Sequence, residues 1–130
     1  MDKALLVGFG GFIGSIGRYA VSGGVYRLLP AADFPWGTLV VNVCGCALIG
    51  VLGALADVRN VFTPEGRSFL FIGVLGGFTT FSTFAYETLA LARDGESLRA
   101  GANALIQLLG CLVAVWLGDA LVRAAGGLTS

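Results

Sequence analysis

The chain has 130 residues, of which 56% are hydrophobic and only 12% charged; eight basic and eight acidic side chains leave a formal net charge of zero. That balance excludes an ordinary soluble domain and the basic face a nucleic-acid binder needs, and it describes a protein whose solvent is lipid. Histidine is absent, which removes the usual general base and the commonest metal ligand, so an enzyme is not expected.

A membrane-spanning helix needs about 20 mostly apolar residues to cross about 30 Å of hydrocarbon. Four such spans fit between the few charges, at about residues 4–29, 36–56, 68–92 and 100–123, and turn formers and charges gather in the connections, the first of them residues 30–35. The expected fold is a single all-α membrane domain of four transmembrane helices.

The first span opens MDKALLVGFGGFIGS, a charge before a short apolar run, which is also how a secretory signal begins. It lacks a small-x-small cleavage site. Gly8, Gly11, Gly14 and Gly17 instead repeat every three residues, a stripe of small side chains that lets a second helix approach closely. Arg18 interrupts this span. The second span has no charge; Asn42 lies in its first half with Thr38 one turn earlier, and Gly45, Cys46, Ile49, Gly50 and Gly53 continue down the face. A lone membrane Asn is usually an interhelical hydrogen bond. Cys44 and Cys46 point to roughly opposite sides, poor geometry for a shared metal or a disulfide, so the cysteines, Cys111 included, read as packing.

The third span contains GGFTTFSTF, residues 76–84. Two glycines followed by Thr79 and Thr80 at mid-membrane invite a helix break, because glycine holds no helical preference and threonine hydroxyls can replace lost backbone bonds. A break frees carbonyl oxygens, which a cation at a protein interface can satisfy. Phe78, Phe81 and Phe84 share a helix face. Rings at helical spacing are usually packing, yet Thr80, Ser82 and Thr83 interleave with them, and a ring edge carries positive partial charge. Edges of Phe81 and Phe84 with amide and hydroxyl donors could hold a small desolvated anion without a buried Lys or Arg. In the fourth span Asn103 and Gln107 put two amides on one face, so that three amides, a small-residue stripe and several hydroxyls form a polar track at membrane depth.

Orientation is set by Lys and Arg in cytoplasmic loops. Lys3, Arg59, Arg67 and Arg123 fall on one side; Arg27, Arg93 and Arg99 fall on the other, with Arg18 if it snorkels that way. A near tie can arise from span boundaries misplaced by a residue or two. The sharper reading is insertion both ways and pairing as an antiparallel, dual-topology homodimer, since four thin glycine-rich helices have too little bulk to enclose a path alone.

Gly17-Arg18-Tyr19, the run Trp36 to Asn42 followed by Gly45, and the run Gly76 to Phe84 together resemble the Fluc (CrcB) fluoride channels, over the whole chain. The resemblance implies passive fluoride export through two pores at the interface of an antiparallel dimer in a prokaryotic inner membrane. It implies ring edges of Phe81 and Phe84 on fluoride, Asn42 as a donor in the pore, and hydroxyls of Ser82 and Thr83 near the path. It also implies a structural sodium ion at the two-fold axis, held by backbone carbonyls of Gly76 and Thr79, with Arg18 and Glu87 toward the aqueous ends. The fourth span departs from the family pattern: Asn103, Gln107 and Cys111 stand where hydroxyl side chains are common. An alternative from another class is a small dual-topology, proton-coupled multidrug or guanidinium exporter. Such exporters use a carboxylate in the first span, where this chain has Arg18. A purely structural membrane subunit is the third reading, if every polar group at depth is glue.

Overall fold

A computed structural model describes residues 2–30 and 33–127; residues 31 and 32 of the expected first loop lie outside them. The described chain is all-helical, and four stretches are long and apolar enough to cross a membrane: Lys3–Leu28, Trp36–Arg59, Pro64–Arg93 and Ser97–Gly126. Two are continuous helices at the start, α1 (Lys3–Leu28) and α2 (Trp36–Arg59). The third stretch is divided into α3 (64–78) and α4 (Phe81–Arg93), and α5 (Ser97–Gly127) closes the chain.

The helices run beyond the apolar cores because capping, not hydropathy, sets their ends. Asp2 accepts from the Ala4 N–H at 3.3 Å to start α1. Asn60 ends α2 in the left-handed region at φ 50°, which asparagine tolerates. Thr63 caps α3 through the Gly66 N–H at 3.1 Å, with Pro64 in the first turn where its missing donor costs nothing. Gly95, at φ 82°, supplies the turn between α4 and α5.

Helix α3 is not uniform. Residues Ser68–Leu75 wind as a π-helix, and one α-turn, Gly76–Phe78, follows before the break. Thr79 (φ −81°, ψ 157°) and Thr80 (φ −151°, ψ 113°) are extended, so the third stretch is broken where glycines and threonines meet. The π-helical winding left no mark in hydropathy, since wide and ordinary turns bury similar side chains.

Helix α1 packs on α3 and on α2, α2 also packs on α5, and α4 rests on α5. The α1–α3 contact is made backbone to backbone. A Cβ on Gly10 would sit 2.7 Å from the Phe69 carbonyl, one on Gly77 2.6 Å from the Gly11 carbonyl, and one on Gly14 against the Val74 carbonyl. The stripe that packs is therefore Gly10 and Gly14, joined by Gly11, while a Cβ on Gly8 would meet open space. A spacing of three drifts around a helix of 3.6 residues per turn, whereas a spacing of four follows the ridge that meets a neighbour.

The α2–α5 contact repeats this device in parallel register. A Cβ on Gly50 would overlap the Val115 carbonyl, one on Gly118 would lie 2.5 Å from the Ala47 carbonyl, and Val43 faces Gly110. Arg123 near the end of α5 reaches Asp57 near the end of α2 at 3.8 Å and Asp119 at 2.8 Å. These pairs are exposed and screened by solvent and add little, so the glycine contacts fix the register.

Candidate functional site

Among the described residues five polar ones are almost wholly buried inside this apolar frame: Thr38, Asn42, Thr80, Asn103 and Gln107. In lipid a buried polar group must find a partner or mark a site, so where each one bonds decides what it does.

The break in the third stretch exposes the Thr80 peptide to helix α2, and Asn42 meets it as a neighbouring β-strand would. Asn42 Oδ1 accepts from the Thr80 N–H at 2.9 Å, and Asn42 Nδ2 donates to the Thr80 carbonyl at 3.1 Å. A backbone N–H can only donate and a carbonyl can only accept, so this pair fixes which way the Asn42 amide points. The second Nδ2 hydrogen goes to Gln107 Oε1 at 3.2 Å. That bond in turn fixes Gln107, whose Nε2 is buried without a partner. Both hydrogens of Asn42 are thus used inside the chain, and the donor left over sits on Gln107. Gly45, one turn below Asn42 on the same helix, is what admits the break, because a Cβ there would overlap the Thr79 methyl.

A cavity of about 390 Å³ opens beside this relay. Asn42, Gln107, Gly76, Thr79, Thr80, Phe81 and Phe84 line it, and apolar walls come from Ile49, Leu75, Leu108, Leu112 and Val115. No charged side chain is among its lining residues. Phe81 and Phe84 stand edge to face, with ring centroids 5.3 Å apart and planes at 65°, and Phe81 is 78% exposed on the outer face. Phe78 is set apart from them. Its ring packs between Gly17 of α1 and Gly45 of α2, 3.4 and 3.3 Å from the positions their Cβ atoms would take.

The remaining hydroxyls have other partners. Thr80 Oγ1 accepts from the Thr83 N–H at 3.2 Å and donates to Thr83 Oγ1 at 3.0 Å, with Ser82 Oγ at 3.3 Å. Ser82 and Thr83 are thereby drawn into the N-terminal cap of α4 on its exposed face. Thr38 donates to Glu87 Oε1 at 2.7 Å, while Glu87 Oε2 is buried without a partner. Asn103 Nδ2 donates to Thr88 Oγ1 at 2.8 Å, which donates to the Phe84 carbonyl at 2.8 Å, and Asn103 Oδ1 lacks a partner.

Of the residues singled out in the sequence, Asn42, Gln107, Phe81, Phe84, Gly76 and Thr79 meet around one cavity. Thr38 with Glu87, and Asn103 with Thr88, form two further polar pairs outside its lining. Arg18 belongs to a separate groove on α1, of about 790 Å³, with Ser15, Tyr19, Ser22, Tyr26 and Arg27. Thr80 is the hub that reading by side-chain type passes over, because its peptide and not its hydroxyl holds Asn42. Its signal was the second threonine after a Gly-Gly pair.

The break also bears on the expected cation. In a continuous helix the Thr80 N–H would close a turn on the Gly76 carbonyl, and here it donates to Asn42 instead. The Thr79 N–H still bonds the Leu75 carbonyl at 2.9 Å and the Thr79 hydroxyl bonds it at 3.0 Å, so the helix stays intact up to the break. An oxygen released from its helical donor beside an exposed glycine suits a hard cation.

Comparison with known proteins agrees over almost the whole chain. Residues 5–119 match the family described as "CrcB-like protein, Camphor Resistance (CrcB)". Proteins named "Fluoride-specific ion channel FluC" are 49% identical in Opitutus terrae, over 100% of this chain and 97% of that one, and 48% identical in Geobacter sulfurreducens, over 95% and 98%. A third with that name, in Paramagnetospirillum magneticum, is 50% identical over 87% of this chain and 89% of its own.

Proposed function

The chain belongs to the CrcB family, and on that footing we propose that it is a fluoride-selective channel through which fluoride leaves the cytoplasm passively. It is a multi-pass membrane protein of a prokaryote, and its relatives bear the name of an ion channel, not of an enzyme. Hydrogen fluoride crosses a bilayer uncharged and dissociates in a more alkaline cytoplasm. An open anion path in the inner membrane lets the potential, negative inside, drive the trapped ion out and lowers its toxicity.

The observation that carries this reading is the oriented amide relay. Thr80 fixes Asn42, Asn42 fixes Gln107, and the chain of bonds ends at Gln107, which lines a cavity with aromatic rings and no charge and whose Nε2 is buried without a partner. Fluoride is strongly hydrated, so a selective route must replace its water with fixed donors and hold it weakly enough to release it. A pre-oriented amide and positive ring edges of Phe81 and Phe84 supply such contacts without a Lys or Arg that would trap the ion. Thr38, Ser82, Thr83 and Asn103 extend the hydrogen-bonding route, and Arg18 and Glu87 act toward its aqueous ends.

The cavity lies open on one face of the single chain, and an antiparallel, dual-topology homodimer closes it, giving two pores per dimer. The near tie of Lys and Arg across the spans supports that assembly. The backbone carbonyls of Gly76 and Thr79 from both subunits would hold a structural sodium ion at the two-fold axis, and its charge would balance the oxygens that the break releases.

Fluoride efflux from liposomes, with a potassium ionophore to carry compensating charge, tests the function. Rapid fluoride loss with chloride retained is expected, and a folded protein that releases no fluoride rejects the channel. A reporter fused to the C-terminus should appear on both sides of the membrane; a one-sided signal rejects dual topology. For the cation, exchange of sodium for N-methylglucamine should lower the melting temperature of the dimer, and sodium chloride but not choline chloride should restore it.

A further inference from the structure

The parallel register of α2 and α5 places residues with the same number offset opposite one another. Asn42 faces Gln107, and two turns further on Gly50 lies against the Val115 backbone. Between these rungs, one turn from each, stand Cys46 and Cys111. Both are half-buried, and both line the 390 Å³ cavity at the same level of the α2–α5 contact. Cys44 is exposed and is not among the cavity's lining residues. Sequence spacing set Cys44 and Cys46 apart and read the cysteines as packing; the neighbour of Cys46 comes from another helix.

We propose that Cys46 and Cys111 form a dithiol site for a soft, thiophilic divalent cation that accepts two ligands in line, the mercuric ion being the simplest. Each thiol loses one proton to the medium and gives one S–Hg bond, so that two thiols and Hg²⁺ yield a bis-thiolate and two protons with no change of oxidation state. The product is neutral, which suits walls of Ile49, Leu108, Leu112 and Val115. A monovalent soft ion would leave a net negative charge among them. Zinc in a closed site wants four protein ligands, and among the described residues no group of three or more His, Cys, Asp or Glu occurs. The bound metal lies one helical turn from Gln107 Nε2. If the fluoride reading above holds, it therefore obstructs the anion path.

Purified protein is treated with mercuric chloride, then washed with a monothiol that strips singly bound metal, and weighed intact by mass spectrometry. Wild type and Cys44→Ser should retain one mercury per chain, and Cys46→Ser, Cys46→Ala and Cys111→Ser should retain none while eluting normally in size exclusion. Retention by Cys46→Ala, or loss by Cys44→Ser, would overturn the site. In liposomes the wild type should lose at least about tenfold in fluoride efflux on mercury and recover with a dithiol. Unchanged efflux in protein that retains the metal would overturn the placement of the pair in the anion path. The mass readout needs no fluoride conduction, so failure of the dithiol and failure of the channel reading are told apart.

Discussion

The α1–α3 and α2–α5 contacts are both built on glycines that bring backbones together, yet they do different work. Between α1 and α3 the approach is continuous from Gly10 to Gly14, with Phe69, Gly73, Val74 and Gly77 filling the other side. Between α2 and α5 it is tight only below, at Gly50 and Gly118, and above that level amides and thiols face each other beside a cavity. Close packing of small residues holds membrane helices together because lipid gives no hydrophobic drive for association. The difference teaches that one such contact is enough to fix the frame. The other can then be opened on one side to hold an unpaired donor at membrane depth.

The sharpest way to break the contrast is Gly14→Val. Its side chain must enter the Val74 backbone, which cannot yield, so a loss of about 3 kcal/mol or more is expected. Folded, monodisperse protein should be lost in detergent, as read by size exclusion and thermal melting. The matched change Gly8→Val meets open space and should leave both unchanged; equal damage from the two would show that helix propensity, and not the contact, is at stake.

Asn42→Ala acts on the open side. It strands the Thr80 N–H and carbonyl and frees Gln107 to turn, at about 1–3 kcal/mol for each buried group left unpaired. Fluoride efflux should fall by at least about tenfold, which corresponds to ~1.4 kcal/mol, with a lower melting temperature. Asn42→Asp should keep the bond from the Thr80 N–H, lose both donations, and conduct no better than the alanine variant. Normal efflux in either would remove the relay from the mechanism.

Phe81→Ile and Phe84→Ile should leave the melting temperature nearly unchanged, because a similar apolar volume is kept, while efflux drops by about tenfold if a ring edge is worth ~1.4 kcal/mol to the ion. Conduction at the normal rate would reduce the rings to packing. The smallest effect is expected for Thr38→Val, which removes one bond to Glu87 at ~1 kcal/mol. A fewfold decrease in efflux with unchanged assembly is the expected outcome, measured in the same liposomes.

Much of the frame is legible in the residues themselves. The spacing of charges marks the membrane stretches, Gly76-Gly77 before Thr79-Thr80 marks the break, and Asn42 in an uncharged span marks a polar site, because lipid makes each of these features costly unless it is used. The stripe on α1 was legible in kind but not in phase, since counting by threes does not say which glycines meet a neighbour. The π-helical winding of Ser68–Leu75 carries no pattern of its own.

Sequence by itself therefore determined the solvent, the spans and the position of the break, for these depend on local hydropathy and backbone chemistry. Only the tertiary structure decided partners. That the Thr80 peptide claims Asn42, that Asn42 hands its last hydrogen to Gln107 and leaves Nε2 without a partner, and that Cys46 and Cys111 line one cavity at the same level, all follow from the register of α2 against α5. That register is set by where Gly50 and Gly118 let two backbones touch, a relation between distant stretches of chain that no single stretch encodes.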